Sequence, residues 1–438
     1  MLSHGPEVET RWQRFVARAQ REPMATFDNL LSLLTVALLA ECFHALRKDA
    51  AVGVDQVTWE EYAAQLDERL PDLTARIHRM GYHPWPVRRV YIPKDEKSRR
   101  PLGIPALEDK IVQEGLRRVL TVLFEPLMLD CSYGFRAGRG CHTALQALAH
   151  ALTRQPVNYV LDADIKGFFD HVGHAALLAC VTTRVQDQRV LRYLVRFLKA
   201  GIQEDGRWLP ATEEGVPQGG VISPLLSNIF LHFALDHWFA VTVQPTLRGF
   251  TVLNRYADDF VIGFQHEAEA HQVLAALRAR LAQCGLTLAE EKTRLIIFSR
   301  YADDRARHSD LPVATFDYLG FTHYWTKTAQ GKWSMRHRTS GKKFRQKVRG
   351  LQHWLQAERH RLPLPELWSK LKDKLRGHYQ YYGVSFNAVA LHRFDRCARQ
   401  LAFKWLNRCS QRKRWTWERF VLYEQRYPLP RPKLVHAW

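Results

Sequence analysis

The sequence predicts an α+β protein followed by a separate basic helical region, and three observations carry that prediction. Through the middle of the chain, short apolar runs of strand length alternate with longer stretches of helical period. Beyond Gly331 the composition shifts to Lys, Arg, Trp and Tyr on helical periods, with Pro363 and Pro365 as punctuation. The net charge of +20 sits entirely at that end: 331–438 holds 26 basic and 6 acidic residues, leaving 38 of each sign before it. A chain of 438 residues that is 46% apolar has material for two or three packed units, which excludes wholesale disorder and a small disulfide-stapled module.

Taken in order, Phe27 to Leu46 has helical spacing and ends in Arg47 and Lys48, so an amphipathic helix is expected there, followed by a loop at 50–55. Pro86 to Ile104 alternates around a polar segment at 94–99, the pattern of a β-hairpin with a basic tip. Asp109 to Leu129 is helical, and Val157 to Asp164 is a short apolar run of buried-strand type. Ala176 to Ala200 and Leu225 to Phe239 are helical stretches on either side of the loop Gly215 to Gly220. Phe250 to Phe264 predicts strand, tight turn and strand; Ala268 to Cys284 a helix; Leu295 to Phe298 and Phe316 to Phe321 one strand each. No internal repeat of domain scale and no low-complexity tract is found.

The one-sided charge points to a polyanion, most simply nucleic acid, because phosphate neutralisation by Lys and Arg dominates such affinities. A membrane surface is the competing polyanion. The most apolar stretch, Leu30 to Ala40, is about half the roughly 20 residues a spanning helix requires, and the N-terminus lacks a secretory pattern, so no membrane insertion is expected, and nucleic acid rather than a membrane is the expected partner. Seven scattered cysteines without a C-x-x-C pair indicate neither a zinc knuckle nor a disulfide framework, and predict a reducing, cytoplasmic setting.

Three carboxylates stand where a folded core normally rejects them. Asp164 ends the run Tyr159-Val160-Leu161-Asp162-Ala163-Asp164, and Asp258-Asp259 interrupt the apolar context of Val252-Leu253 and Phe260-Val261-Ile262. Buried without partners they would cost several kcal/mol each, so they must reach solvent, pair with cations or hold a metal. If the strand ending in Asp164 lies beside the hairpin of Asp258 and Asp259, the carboxylates converge as hard oxygen ligands suited to Mg²⁺. Two such ions, about 3.5–4 Å apart, serve phosphoryl transfer. Taken alone, an Asp-Asp pair in a turn is an ordinary solvated bend.

Tyr256-Ala257-Asp258-Asp259 between apolar strands resembles the signature of reverse transcriptases, and its partners follow in that family's order. Asp164-Ile165-Lys166-Gly167-Phe168-Phe169-Asp170 resembles the first catalytic motif, and Gly215-Val216-Pro217-Gln218-Gly219-Gly220 through Leu225 the template-and-nucleotide loop. Gly285-Leu286-Thr287-Leu288 with Glu291-Lys292-Thr293, and Phe316-Asp317-Tyr318-Leu319-Gly320-Phe321, resemble the fourth motif and the primer grip. More narrowly, Val52 to Asp55, Arg88 to Lys94 with Arg100 to Pro105, Ser132-Tyr133-Gly134-Phe135-Arg136 and Leu375-Arg376-Gly377-His378-Tyr379 are similar to bacterial group II intron reverse transcriptases, the intron-encoded maturases.

That resemblance implies a right-hand polymerase: N-terminal extension and fingers over 1–160, palm over 161–330, helical thumb over 331–385 and a basic, RNA-binding helical region over 386–438. It implies two Mg²⁺ ions, with Mn²⁺ as a substitute, on Asp164, Asp258, Asp259 and the carbonyl of Ile165. Lys94 and Arg100 would hold the deoxynucleoside triphosphate. Phe169 would exclude a 2′-hydroxyl, Gln218 and Gly219 would border the nascent base pair, and Lys292 would neutralise or protonate the pyrophosphate. Leu319 and Gly320 would form the primer grip. The implied partners are an RNA template, a DNA or RNA primer, deoxynucleotides and group II intron RNA, with splicing assistance and retrohoming as the family role. The intron proteins of the longer type carry a cysteine-and-histidine endonuclease after the thumb; here Cys397 and Cys409 stand unpaired, so DNA cleavage is not expected.

The bland readings have their own weight. Tyr301-Ala302-Asp303-Asp304 repeats the signature tetrapeptide but is flanked by Arg300, Arg305 and Arg307 with no second apolar strand, and is expected to be a solvated segment. Asp162 and Asp170 flank the Asp164 motif; Asp162 shares the parity of Asp164 and would suit a supporting partner, but an ordinary turn or helix cap is the expected role. Phe168 is expected to be core. The basic end could be a mere solubilising surface, although its aromatic interleaving suits nucleic acid. Two rival roles remain: a domesticated reverse transcriptase in DNA repair or phage defence, and an RNA-binding splicing chaperone with dispensable catalysis.

Overall fold

The computed structural model describes residues 6–93, 99–210, 212–408 and 415–437. It is a mixed α/β structure, with eleven strands among the described residues: β1 Val87–Pro93, β2 Arg99–Ile104, β3 Tyr159–Asp164, β4 Ile202–Glu204, β5 Arg207–Leu209, β6 Thr251–Tyr256, β7 Asp259–Phe264, β8 Arg294–Ile297, β9 Phe316–Tyr318, β10 Phe321–Lys327 and β11 Trp333–Thr339. They form three sheets, ordered β2-β1-β4-β5, β6-β7-β3-β8 and β11-β10-β9. The first contains the antiparallel hairpin β1–β2, with Arg88 opposite Ile104 and Pro93 opposite Arg99. Most of its tip lies outside the described residues.

The chain forms two compact units. One comprises 1–144, 161–262 and 267–294, the other 145–160, 263–266 and 295–438. In the first, Leu107–Phe124 buries Ile111, Val112, Leu116, Val119, Leu120 and Leu123, so its apolar face is a core face. In the second, the β9–β10–β11 sheet leads into helices Gly341–Glu358, Leu364–Tyr382 and Ala388–Leu406. Ser340 starts the first of these helices by accepting a hydrogen bond from the Lys343 amide (3.3 Å). No described helix is long and apolar enough to cross a membrane.

Four expectations are corrected by local physics. The helix foreseen over Phe27 to Leu46 is a single turn at Leu31–Leu33 and then a helix from Val36 to Ala45, because the Thr35 hydroxyl caps the Leu38 amide and sets a new start. Ala176 to Ala200 breaks into His174–Thr182 and Gln188–Leu198, the second capped by Asp187. Phe316 to Phe321 is a turn between two strands: Leu319 (φ 48°) and Gly320 (φ 85°) are both left-handed, the geometry of a tight two-residue hairpin. The region after Gly331 begins with β11, whose basic residues alternate with the buried Met335, His337 and Thr339 at period two.

Candidate active site

The turn that carries the aspartate pair is built by its flanks. Phe260, Val261 and Ile262 are fully buried in β7, and Leu253 and Arg255 in β6, while Asp258 and Asp259 stay partly exposed at the strand ends. Two residues, Ala257 and Asp258, link the strands, and Ala257 takes φ 56°, a region that non-glycine residues enter at a cost. In β3, Val160, Leu161 and Ala163 are buried and Asp162 and Asp164 half-exposed.

The pairing of β3 with β7 sets the register. The Asn158 amide, just before the first residue of β3, donates to the carbonyl of Phe264, the last residue of the neighbouring β7 (2.8 Å), so the strands run antiparallel. Asp164, at the far end of β3, and the Asp258 turn, at the start of β7, therefore lie at the same end of the sheet, and the charges of both act on Lys292. The end of β3 is held by a third segment: the Ala289 amide donates to the Asp164 carbonyl (2.8 Å) and the Lys166 amide to the Thr287 carbonyl (2.9 Å). That segment delivers Lys292, whose ammonium is ion-paired with the Asp164 carboxylate. The bond to Asp164, with Glu291 and Asp258 adding their charge, raises the Lys292 pKa. Arg294 pairs with Asp162 at 2.8 Å, which accounts for the aspartate on the same face of the strand.

After β3 the chain turns at Gly167 (φ 55°) into a one-turn helix, Phe168–His171. Phe168 is buried as expected, and Phe169 stands half-exposed against it, ring centroids 5.2 Å apart and edge-on. The loop 213–220 is fastened to this turn. The Val216 amide donates to the Phe169 carbonyl (2.7 Å), and the Gly215 amide to the Val172 carbonyl (2.9 Å). The His174 ring bonds the Gly215 carbonyl (2.8 Å), and the Gln218 side-chain amide reaches the Asp170 carboxylate (3.4 Å). Gly219 is required by space and by backbone: its φ is 114°, and a Cβ there would lie 2.5 Å from the Gly103 carbonyl oxygen. The Gln218 carbonyl in turn accepts from the Gly103 amide (2.6 Å), which ties the loop to β2. Phe169, Gln218 and Gly219 therefore belong to one hydrogen-bonded assembly with β2.

Of the other residues singled out by sequence, Arg100 is exposed on β2 opposite Ile92, and Lys94 lies outside the described residues. Ile165 is buried, bridged to Leu288. Leu319 and Gly320, in the second unit, make the left-handed turn, with the Leu319 carbonyl accepting from the Tyr381 hydroxyl (2.8 Å). The repeated tetrapeptide forms the start of a short helix, Ala302–Ala306, with Asp303 and Asp304 exposed and Asp304 3.9 Å from Arg307.

Among the described residues no group of three or more His, Cys, Asp or Glu side chains is gathered closely enough to cage a metal ion. At this site Lys292 engages one oxygen of the Asp164 carboxylate. Three carboxylates are a hard-oxygen donor set of the kind Mg²⁺ takes, so the donors fit the ion.

Sequence reasoning missed the support behind the turn. Arg255 is fully buried and paired with the equally buried Asp236 (2.5 Å), with Asn228 and Ser132 as further acceptors. The available signal was a charged residue inside an apolar strand, next to the signature tetrapeptide.

The carboxylate-bearing hairpin thus lies in one sheet with the strand of a third aspartate, and a glycine loop is fastened to the turn that follows that strand. The reverse transcriptase (RNA-dependent DNA polymerase) family model matches residues 92–323, more than half of the chain, and the chain belongs to that family. Its relatives include proteins named for introns. It is 39% identical over 249 residues to the group II intron-encoded protein LtrA of Lactococcus lactis subsp. cremoris, a match covering 54% of this chain and 41% of that protein. It is 38% identical over 276 residues to protein YkfC of Escherichia coli (strain K12), covering 56% of this chain and 72% of YkfC. It is also 31% identical over 146 residues to nuclear intron maturase 4, mitochondrial, of Arabidopsis thaliana, covering 33% and 18% of the two chains. The chain thus spans about two-fifths of the length of LtrA.

Proposed function

We propose that this chain extends a primer with deoxynucleotides on an RNA template, and that it also binds group II intron RNA to assist splicing and retrohoming. What supports the reading is that Asp164 and Asp258 belong to one end of two adjacent strands and both act on Lys292, inside the segment matched by the family. In this reading 1–160 supplies an N-terminal extension and fingers, 161–330 the palm, 331–385 the thumb and 386–438 a basic RNA-binding region.

Asp164, Asp258 and Asp259, with the Ile165 carbonyl, hold divalent metal; bound there, Mg²⁺ supplies Lewis-acid activation of the primer hydroxyl and charge neutralisation of the triphosphate. Lys94 and Arg100 bind the phosphates, and Arg100 on an exposed strand position has the reach of a planar fork. Phe169 sits under the sugar and excludes a 2′-hydroxyl. Gln218 and Gly219 line the nascent pair, where the absence of a Cβ allows close backbone approach. Lys292, a half-exposed ammonium with a raised pKa, holds its proton at neutral pH and is suited to meet the departing pyrophosphate. Leu319 and Gly320 hold the primer end.

The test is template-directed incorporation by two variants. Asp258→Asn abolishes deoxynucleotide addition and leaves template-primer affinity nearly intact, whereas Asp303→Asn changes neither. Equal loss in both variants contradicts the choice of turn.

A further inference from the structure

Arg255, immediately before the signature tetrapeptide, has every guanidinium N–H donor engaged in a site that solvent does not reach. Nε and Nη2 form a two-pronged pair with Asp236 at 2.6 and 2.5 Å. Nη2 also donates to the Ser132 hydroxyl (2.7 Å), and Nη1 to the Asn228 side-chain carbonyl (3.0 Å) and to the backbone carbonyl of Ala257 (3.0 Å). Arg255 and Asp236 are both 0% exposed, so these bonds act in a low-dielectric interior where an unpaired charge is costly.

The last of those acceptors matters for chemistry. Ala257 is the link between β6 and Asp258, and it is held at φ 56°. A side-chain-bearing residue keeps such a conformation only where its surroundings over-determine it. Two neighbours do so. Arg255 fixes the Ala257 carbonyl from one side. On the other, Gly134 approaches so closely that a Cβ there would lie 2.6 Å from the Ala257 nitrogen. The two are joined, because Asn228 accepts from Arg255 and donates its amide to the Gly134 carbonyl at 2.6 Å. The backbone of 131–133 completes the frame: the Arg255 amide donates to the Cys131 carbonyl (2.8 Å) and the Tyr133 amide to the Arg255 carbonyl (2.9 Å).

We infer that Arg255, with Asp236, Asn228, Ser132 and Gly134, is a buried positioning assembly that sets the left-handed turn at Ala257 and thereby aims the Asp258 carboxylate at the metal. The inference deepens the proposed function and rests on its assignment of Asp258 as a metal ligand. Ser132 and Gly134 act on Asp258 through the turn.

The experiment compares wild type with Arg255→Lys, which keeps the charge and loses the fork, Ser132→Ala, which removes one acceptor, and Leu277→Ala, a core truncation in the same unit that serves as the stability-matched control. Thermal unfolding, template-primer affinity, the Mg²⁺ concentration for half-maximal primer extension, and direct Mn²⁺ binding by electron paramagnetic resonance are measured for each. Arg255→Lys is expected to weaken Mn²⁺ binding and raise the half-saturating Mg²⁺ concentration about tenfold. Ser132→Ala shifts both in the same direction by two- to threefold, and Leu277→Ala at equal loss of melting temperature shifts neither; duplex affinity is unchanged throughout. Should Arg255→Lys fail to fold, Ser132→Ala against the control decides. Metal dependence that tracks melting temperature alike in all three variants overturns the inference and leaves Arg255 a structural residue. Should wild type incorporate no deoxynucleotide, the functional reading fails, and the positioning role stands or falls on the Mn²⁺ binding alone.

Discussion

At the scale of single residues, the site couples the proposed sugar gate to the nucleotide loop. Phe169 gives its carbonyl to Val216 while Asp170 takes the Gln218 amide, so the ring and the glutamine are set by one short segment. Asp170 is thus an acceptor for the loop, where its sequence suggested only a turn or cap. Phe169→Ala opens the space under the sugar without touching these backbone bonds. Incorporation of ribonucleotides relative to deoxynucleotides should rise by about 10-fold or more, on the scale of one lost steric exclusion. Unchanged sugar discrimination in competition assays removes Phe169 from the gate.

At the scale of elements, local patterns were legible and long-range pairings were not. The strand, turn and strand around Asp258 could be read because two buried apolar runs flank a polar pair within fifteen residues. The register that sets Asp164 beside it joins segments far apart in sequence, and only the family resemblance pointed to it. The Leu319–Gly320 turn was hidden because a leucine in a left-handed conformation carries no turn signal. β11 was hidden because its arginines blended with the basic helices that follow. Its partner strand places His323 opposite His337, and His323 is fully buried with no hydrogen-bond partner at either ring nitrogen. Burial pushes His323 down to about 3 and His337 to about 4 from an ordinary 6.5, and His378, stacked on Phe394, to about 3. The folded chain refuses protons that the unfolded chain accepts, so stability falls as pH drops below about 6.5 and continues to fall toward 3–4. His323→Phe removes one such group. It should stabilise the second unit by about 2 kcal/mol more at pH 5 than at pH 8, since 1.5 pH units below 6.5 correspond to about 1.36 kcal/mol each. Denaturant midpoints at the two pH values check this, and an equal gain at both contradicts it.

At the scale of the whole molecule, charge is the legible property. All of the +20 lies in 331–438, and helix Gly341–Glu358 presents Lys342, Arg345 and Lys347 to solvent. Aromatic rings there take cations at close range, as Lys374 does over Trp354 (4.8 Å) and Arg393 over Phe344 (5.1 Å), so many of the interleaved rings pack beneath the charges. If these helices follow a nucleic-acid backbone, replacing Lys342, Arg345 and Lys347 by Gln lowers the slope of log affinity against log salt for RNA by about 0.7–0.9 for each phosphate no longer neutralised. An unaltered slope makes that face a solubilising surface.

The claim that most of this depends on is that Asp164 and Asp258 serve one reaction centre. The direct measurement is a single-turnover double-mutant cycle of Asp164→Asn and Asp258→Asn in primer extension. Residues that act as a unit are grossly non-additive, so each single change should cost about 10³-fold or more and the double variant should be no slower than the worse single. Additive losses, or a near wild-type rate in either single variant, contradict a shared centre.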